Sequence, residues 1–154
     1  MNTHSDLLPR PVNIVKLKMV REKRLGYNTA ITGVGNVIGL IKGIFKDSYR
    51  EMVLVIGVDN ANRPTIVHTV SVGSPNQSFV PISCVFKPLL LSNSVGFIIV
   101  HNHPGSNLTP SSADREITER LKAVGAQLEI TMLDHVILNA DGSDHYSFRT
   151  NGTM

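Results

Sequence analysis

Tryptophan is absent from this sequence, and aromatic residues of all kinds make up only 5% of its 154 positions. A stacking platform for single-stranded nucleic acid needs several rings along a basic groove, so none is expected here. Cysteine occurs once, as Cys84. A single thiol excludes a disulfide framework and any zinc site built on cysteine pairs. With no base beside it in sequence, Cys84 reads as a small core residue. Long apolar runs are also missing. The longest, Met52 to Val58 and Val95 to Val100, fall far short of the ~20 residues of a membrane span. The first eleven residues hold His4, Asp6 and Arg10 but no apolar stretch of export-signal length. The expectation is a cytoplasmic protein in a reducing compartment, without membrane contact.

The remaining composition is that of an ordinary globular domain, with 42% hydrophobic and 18% charged residues. The net charge of +3 includes a local run of Lys16, Lys18, Arg21, Lys23 and Arg24 around the single acid Glu22. That run suits weak nucleic-acid contact through phosphate, and it suits a solvated strand edge equally well. Val15, Leu17 and Met19 alternate with Lys16 and Lys18, which predicts a first, half-exposed strand.

Further along, Val34, Val37, Ile38, Ile41, Ile44 and Phe45 follow helical spacing and predict a helix over Thr32 to Lys46. Gly35, Gly39 and Gly43 lie four apart on it, a row that would let another element pack close. The stretch from Gly33 to Gly39 fits neither GxGxxG nor a phosphate loop ending in Gly-Lys-Ser/Thr, so nucleotide binding is rejected. A hairpin follows, from Met52–Asp59 through Asn60–Pro64 to Ile66–Val70. After a loop that begins Gly73-Ser-Pro-Asn76, a short helix is expected between Pro81 and Ser92, kinked or interrupted at Pro88. Val95 to Val100 is the most hydrophobic strand and the expected sheet centre. A helix from Pro110 to about Val124 is expected, with Thr109 as N-cap, Gly125 as its stop, and Ile117, Leu121 and Val124 as its inner stripe. Strands at Leu128–Met132 and Val136–Leu138 precede a last short one through Tyr146 and Phe148. Interleaved strands and helices predict an α/β fold of three layers around one mixed sheet. The expected division is residues 1–31 as N-terminal strand and basic segment, 32–150 as the domain, and 151–154 as a tail.

The segment that carries chemistry is His101-Asn102-His103-Pro104, directly after the buried strand, followed by Ser111-Ser112-Ala113-Asp114. In extended chain, residues two apart point the same way, so His101 and His103 can converge on one point. The ten-residue connection lets Asp114, in the first turn of the next helix, fold back beside the strand end. Two imidazoles and a carboxylate form a catalytic zinc set with a fourth position open. Such a centre needs a group to take a proton from water. Glu51, just before a buried strand, is placed for that role or for a plain exposed charge. His4, His68 and His145 lack partners at ligand spacing and are read as structural.

His101-x-His103-Pro104, six residues, then Ser111-x-x-Asp114, with Glu51 upstream, is similar to the JAMM motif of MPN/JAB metallopeptidases. Within that superfamily the chain resembles the RadC-like bacterial group. The match extends to Thr109-Pro-Ser111, Ala113-Asp114, Asp134-His135 and Ser147-Phe148-Arg149, and it covers about residues 32 to 150. The resemblance implies a cytidine-deaminase-like α/β/α sandwich holding one zinc per chain on His101, His103 and Asp114. It also implies a hydrolase of peptide or isopeptide bonds in which Glu51 is base and acid and Ser111 donates to the oxyanion. From its position alone Ser111 can equally be a helix cap, and Asp134 and His135 either back the ligands or form a strand-start turn.

The chain departs from the group's pattern at several points. Gly105-Ser106 stands where the group has Ser-Gly, and Thr150 stands where it commonly has Glu. Pro88 lies inside the preceding helix. Too few residues precede the core for the helical, DNA-binding-type region of full-length RadC-like proteins. Three other classes compete with the metallopeptidase. A DNA-repair-associated module has only the basic segment behind it. A nucleobase deaminase shares the expected fold but needs Pro-Cys-x-x-Cys, which one cysteine cannot supply. A non-catalytic scaffold lacks the metal residues, and here all four motif positions are filled. The protein or peptide substrate and the oligomeric state are not specified by these features.

Overall fold

Gly96–Asn102 forms a strand in which all seven residues are buried, a pattern that requires cover on both faces of a sheet. The computed structural model describes residues 11–41, 43–45, 50–73, 80–105 and 107–154. Five strands make one sheet: β1 (Met52–Val58), β2 (Pro64–Val72), β3 (Gly96–Asn102), β4 (Thr131–Leu138) and β5 (His145–Ser147). Their spatial order is β2-β1-β3-β4-β5, which puts β3 at the centre. Only β3 and β4 run parallel; the other pairs are antiparallel. A parallel pair needs a crossover, and helix α3 (Ser112–Gln127) supplies it.

Alternation along the strands then divides the core. Leu54, Ile56, Val58, Ile98, Val100, Val136 and Leu138 face helix α1 (Val34–Ile41). Val53, Val55, Phe97, Ile99 and Met132 face helix α2 (Ile82–Leu91) and α3. One helix on one face and two on the other give the expected three layers around a mixed sheet.

Several local expectations need correction. Residues 11–30 form no regular element, and Val15 and Leu17 are 70% and 78% exposed. Apolar–polar alternation fits any extended chain, and no sheet edge pairs with this one, so the first strand does not form. Lys16, Lys18, Arg21, Lys23 and Arg24 are all exposed along it.

Helix α1 stops at Ile41, ahead of Gly43, whose φ of +93° is costly for side-chain-bearing residues. Its expected end at Lys46 lies outside the described residues, as do His4, Ser106 and residues 74–79 of the loop. Among the described residues the glycine row receives no packed element; the Tyr27 ring lies 4.0 Å from where a Cβ on Gly39 would stand. Helix α2 runs through Pro88 to Leu91 without a break. The cost is one ladder bond, because proline has no N–H for the Cys84 carbonyl. Cys84 itself is half-buried and does not belong to the core.

Helix α3 starts at a different cap and ends later than its sequence signals. Ser111, not Thr109, is the N-cap, and the helix passes through Gly125 to Gln127. Gly125 serves packing instead of termination. A Cβ there would lie 2.5 Å from the Ile130 carbonyl oxygen and 3.1 Å from the Phe97 ring. Its buried face is Asp114, Thr118, Leu121 and Gly125, while Ile117 and Val124 are only half-buried.

The two strands expected at Leu128–Met132 and Val136–Leu138 are a single strand, β4. The residues expected as a tail are fastened to the domain. The Asn151 side chain donates to the Ser147 carbonyl at 2.8 Å, and Met154 packs on the α2/α3 side of the core.

Candidate metal centre

Residues of one parity on β3 face α3: Phe97, Ile99, His101, and His103 just past the strand end. Asp114 enters from the first turn of α3, held there by a reciprocal cap. Ser111 Oγ accepts from the Asp114 amide at 3.1 Å, and the Ser111 amide donates to Asp114 Oδ2 at 2.8 Å. Such a capping box fixes where the helix begins, and here it also fixes where the carboxylate stands. The expected ligand set meets in space. His101 Nε2 lies 3.0 Å from His103 Nε2 and 3.3 Å from Asp114 Oδ1, and His103 Nε2 lies 3.6 Å from Asp114 Oδ2. A tetrahedral zinc with ligands at about 2.0–2.1 Å spaces them about 3.3 Å apart. The donor set therefore fits such an ion in type, number and spacing, and it is the one such cluster among the described residues.

The electrostatics suit a cation. Burial holds the His101 pKa down to about 4 against the attraction of Asp114. Contact with the Asp114 carboxylate raises the pKa of His103, against the effect of its partial burial. Burial alone would push Asp114 up. The His103 contact, the attraction of His101 and the two Ser111 bonds outweigh it and hold the carboxyl well below the usual range. His103 Nδ1 lies 2.8 Å from the Asn107 carbonyl oxygen. A carbonyl only accepts, so Nδ1 carries the proton and neutral His103 presents its lone pair at Nε2. The cluster opens on the His103 side, where that side chain is 21% exposed against 3% for His101.

Glu51 directly precedes β1 and is half-buried. By alternation it shares the α3-facing side with Val53, and its charge contributes to raising the His103 pKa. Its backbone is held by Asn102. Ser111 Oγ donates to Asp114 Oδ2 at 2.6 Å, so its single proton is committed inside the capping box. Asp134 and His135 lie within β4, not in a turn. Asp134 accepts from Ser147 Oγ, the His135 amide and the Arg149 amide at 2.6, 2.7 and 3.0 Å. His135 Nε2 lies 2.8 Å from His101 Nδ1, and burial lowers its pKa well below the ordinary histidine value. Thr150 bonds Ser147 at 3.0 Å, and Gly105 has open space around it. His68 and His145 are exposed and lie outside the cluster.

Sequence reasoning missed Thr118 and the clamp made by Asn102. Thr118 is 1% exposed and touches His135. Its signal was a polar residue four after Asp114, on the same helix face. Nothing in the sequence marked Asn102 apart from its place between the two histidines.

The profile of the RadC-like JAB domain matches residues 31–153. The chain belongs to this family. Among similar proteins are UPF0758 proteins of Chlorobium phaeovibrioides, 35% identical over 86% of this chain, and of Thermotoga maritima, 40% identical over 68%. A third, from Trichlorobacter lovleyi, is 35% identical over 89%. The chain spans 60%, 46% and 59% of the lengths of these three relatives. RadC-like JAB membership agrees with the observed sandwich. No helix among the described residues is long and apolar enough to cross a membrane.

Proposed function

We propose that this RadC-like JAB domain is a zinc-dependent hydrolase of peptide or isopeptide bonds. The observation that carries the reading is the convergence of His101, His103 and Asp114 at spacings of 3.0 to 3.6 Å. A zinc ion held by these residues supplies Lewis acidity toward water and toward the scissile carbonyl. Glu51, beside the open His103 flank, takes the water proton and returns it to the leaving amine, serving as base and then acid. Asp114 stays ionised at neutral pH and would bring the one negative charge among the three ligands. Ser111 donates to the developing oxyanion after its hydroxyl turns away from Asp114 Oδ2; in the resting arrangement it caps α3. Asp134 ties the turn after β5 to β4 and so backs the site.

The test is metal content and cleavage together. Protein purified without chelator is expected to carry about one zinc per chain and to cleave a peptide or isopeptide-linked pair. Full zinc occupancy in the His101→Ala/His103→Ala double variant overturns the site.

A second reading, weak nucleic-acid contact, rests on the exposure of Lys16, Lys18, Arg21, Lys23 and Arg24. It involves none of the cluster's residues and is compatible with the first.

A further inference from the structure

His135 reaches His101 because β4 carries a bulge. Phe97 pairs with Met132, but the next residue of β3, Ile98, pairs with Asp134, so Leu133 is an extra residue. Regular alternation from Met132 would turn His135 toward α1. The extra residue reverses the parity, and His135 faces α3 instead, diagonal to His101. Bulges re-aim side chains in this way. Phe148 then stacks on the His135 ring, with centroids 4.7 Å apart and planes 9° from parallel, and fixes its plane.

The protons along this contact can be counted. Thr118 Oγ1 lies 2.6 Å from the Asp114 carbonyl oxygen and 2.7 Å from His135 Nδ1. A hydroxyl has one proton, and a carbonyl can only accept, so that proton points to Asp114. His135 Nδ1 must therefore be the donor to Thr118. A charged ring is costly at 1% exposure, so His135 is neutral and its Nε2 is an acceptor. Its partner 2.8 Å away, His101 Nδ1, then carries the proton. His101 Nε2, the atom aimed at His103 and Asp114, is left with a lone pair.

From this we infer that His135 is a positioning residue which sets the tautomer of His101, with Thr118 setting the tautomer of His135 in turn. The inference rests on the metal-site reading and deepens it. The path runs from the Asp114 carbonyl through Thr118 and His135 to His101, so the helix-borne ligand and the strand-borne ligand are joined behind the site. A metal-ligating histidine ordinarily donates its second N–H to a carboxylate, a carbonyl or water. Here the acceptor is a second neutral histidine, and it works only in one tautomer.

The experiment reads ring protonation directly, by two-bond ¹H–¹⁵N correlation spectra of the metal-free protein at neutral pH. His101 and His135 are expected as Nδ1–H tautomers. Thr118→Val removes the acceptor of the His135 N–H without touching His101. It is expected to move the ring signals of both histidines and to weaken zinc binding ten- to hundredfold. His135→Phe keeps the ring stack on Phe148 and is expected to weaken zinc binding by a similar factor with the fold intact by circular dichroism. Nε2–H on His101 in the unaltered protein overturns the inference, as does unchanged zinc affinity in a folded Thr118→Val variant. A wild-type protein that binds no zinc but shows both Nδ1–H tautomers overturns the metal reading and leaves the relay standing.

Discussion

The carboxamide of Asn102 bonds the peptide groups on both sides of Glu51. Its Oδ1 accepts from the Met52 amide at 2.7 Å, and its Nδ2 donates to the Arg50 carbonyl at 3.1 Å. Asn102 is fully buried at the end of the strand that also carries His101. The residue between the two imidazole ligands thus fixes the backbone under the proposed base. Asn102→Ala deletes both bonds, one of them to a strand-start amide. It is expected to cost about 1–3 kcal/mol, read as a lower Tm, with zinc stoichiometry retained. Loss of zinc in this variant would tie Asn102 to the ligands and not to Glu51.

Glu51→Gln keeps size and hydrogen bonding but cannot take a proton. Zinc is expected to stay at wild-type occupancy, while cleavage falls by at least the 10²–10⁴-fold that general base catalysis contributes. Isothermal titration with zinc and a turnover assay on the same preparation separate the two effects. Metal loss would make Glu51 a ligand and end its assignment as base.

Stability of the metal-free protein is expected to depend on pH in two opposed ways. His101 binds its proton more weakly in the fold, at about 4, than in the unfolded chain near 6.5. The unfolded state therefore takes up protons first, and stability falls as pH drops from about 6.5 toward 4, by on the order of 3 kcal/mol. His103 has a raised pKa. Its contribution is complete below the ordinary histidine value and is lost as pH rises through the raised one. The low Asp114 pKa adds stability that is present above the ordinary carboxylate value and disappears as pH falls through the depressed one. Zinc must displace the His103 proton, so its affinity is expected to climb with pH until that ring is neutral. Thermal melts and zinc titrations from pH 4 to 9 with chelated protein check both trends; a Tm that rises on acidification from 6.5 to 4 would contradict the His101 assignment.

The basic segment is expected to bind duplex DNA weakly and without sequence preference at low salt. Affinity should fall by about 0.9 log unit per log unit of salt for each phosphate neutralised, leaving little at physiological salt. Removal of zinc should not matter, because the exposed cations at Lys16 to Arg24 are not among the cluster's residues. Fluorescence anisotropy across a salt series, with and without chelator, reads this. Tight binding at physiological salt that vanishes with chelator would turn the metal toward nucleic-acid chemistry and against the peptidase.

The parts legible in the sequence are those where residue type and spacing had a single structural outcome. A strand buried on both faces had to be central, and two histidines two apart at its end had to share a side. What escaped was decided by neighbours distant in sequence. Gly125 reads as a helix stop, but it is required where α3 crosses Phe97 and Ile130. His135 reads equally as a support for the ligands or as a strand-start turn, and it is the bulge at Leu133 that turns it, within the strand, to the ligand side. Alternation at Val15 to Met19 reads as a strand, but the segment pairs with neither edge of the sheet, β2 or β5. Thr109 before Pro110 reads as the cap, while the Ser111–Asp114 reciprocal pair satisfies more orphan groups and takes that role.

Helix α3 is locked in place at two points, at mid-helix by Thr118 against His135 and near its C-terminal end by Gly125 against Ile130 and Phe97. The span between the strand-borne and helix-borne ligands is therefore a property of the sandwich, not of the segment that joins them. Among the described residues of 104–109, the hydrogen bond to a ligand is made by a main-chain atom, the Asn107 carbonyl on His103. Every amino acid carries a carbonyl, so residues 104–109 are free to drift, lengthen or exchange neighbours while the ligands keep their places. The order Gly105-Ser106 is a change of that kind. Selection on what enters the open flank can act on this stretch without acting on the ion's holders.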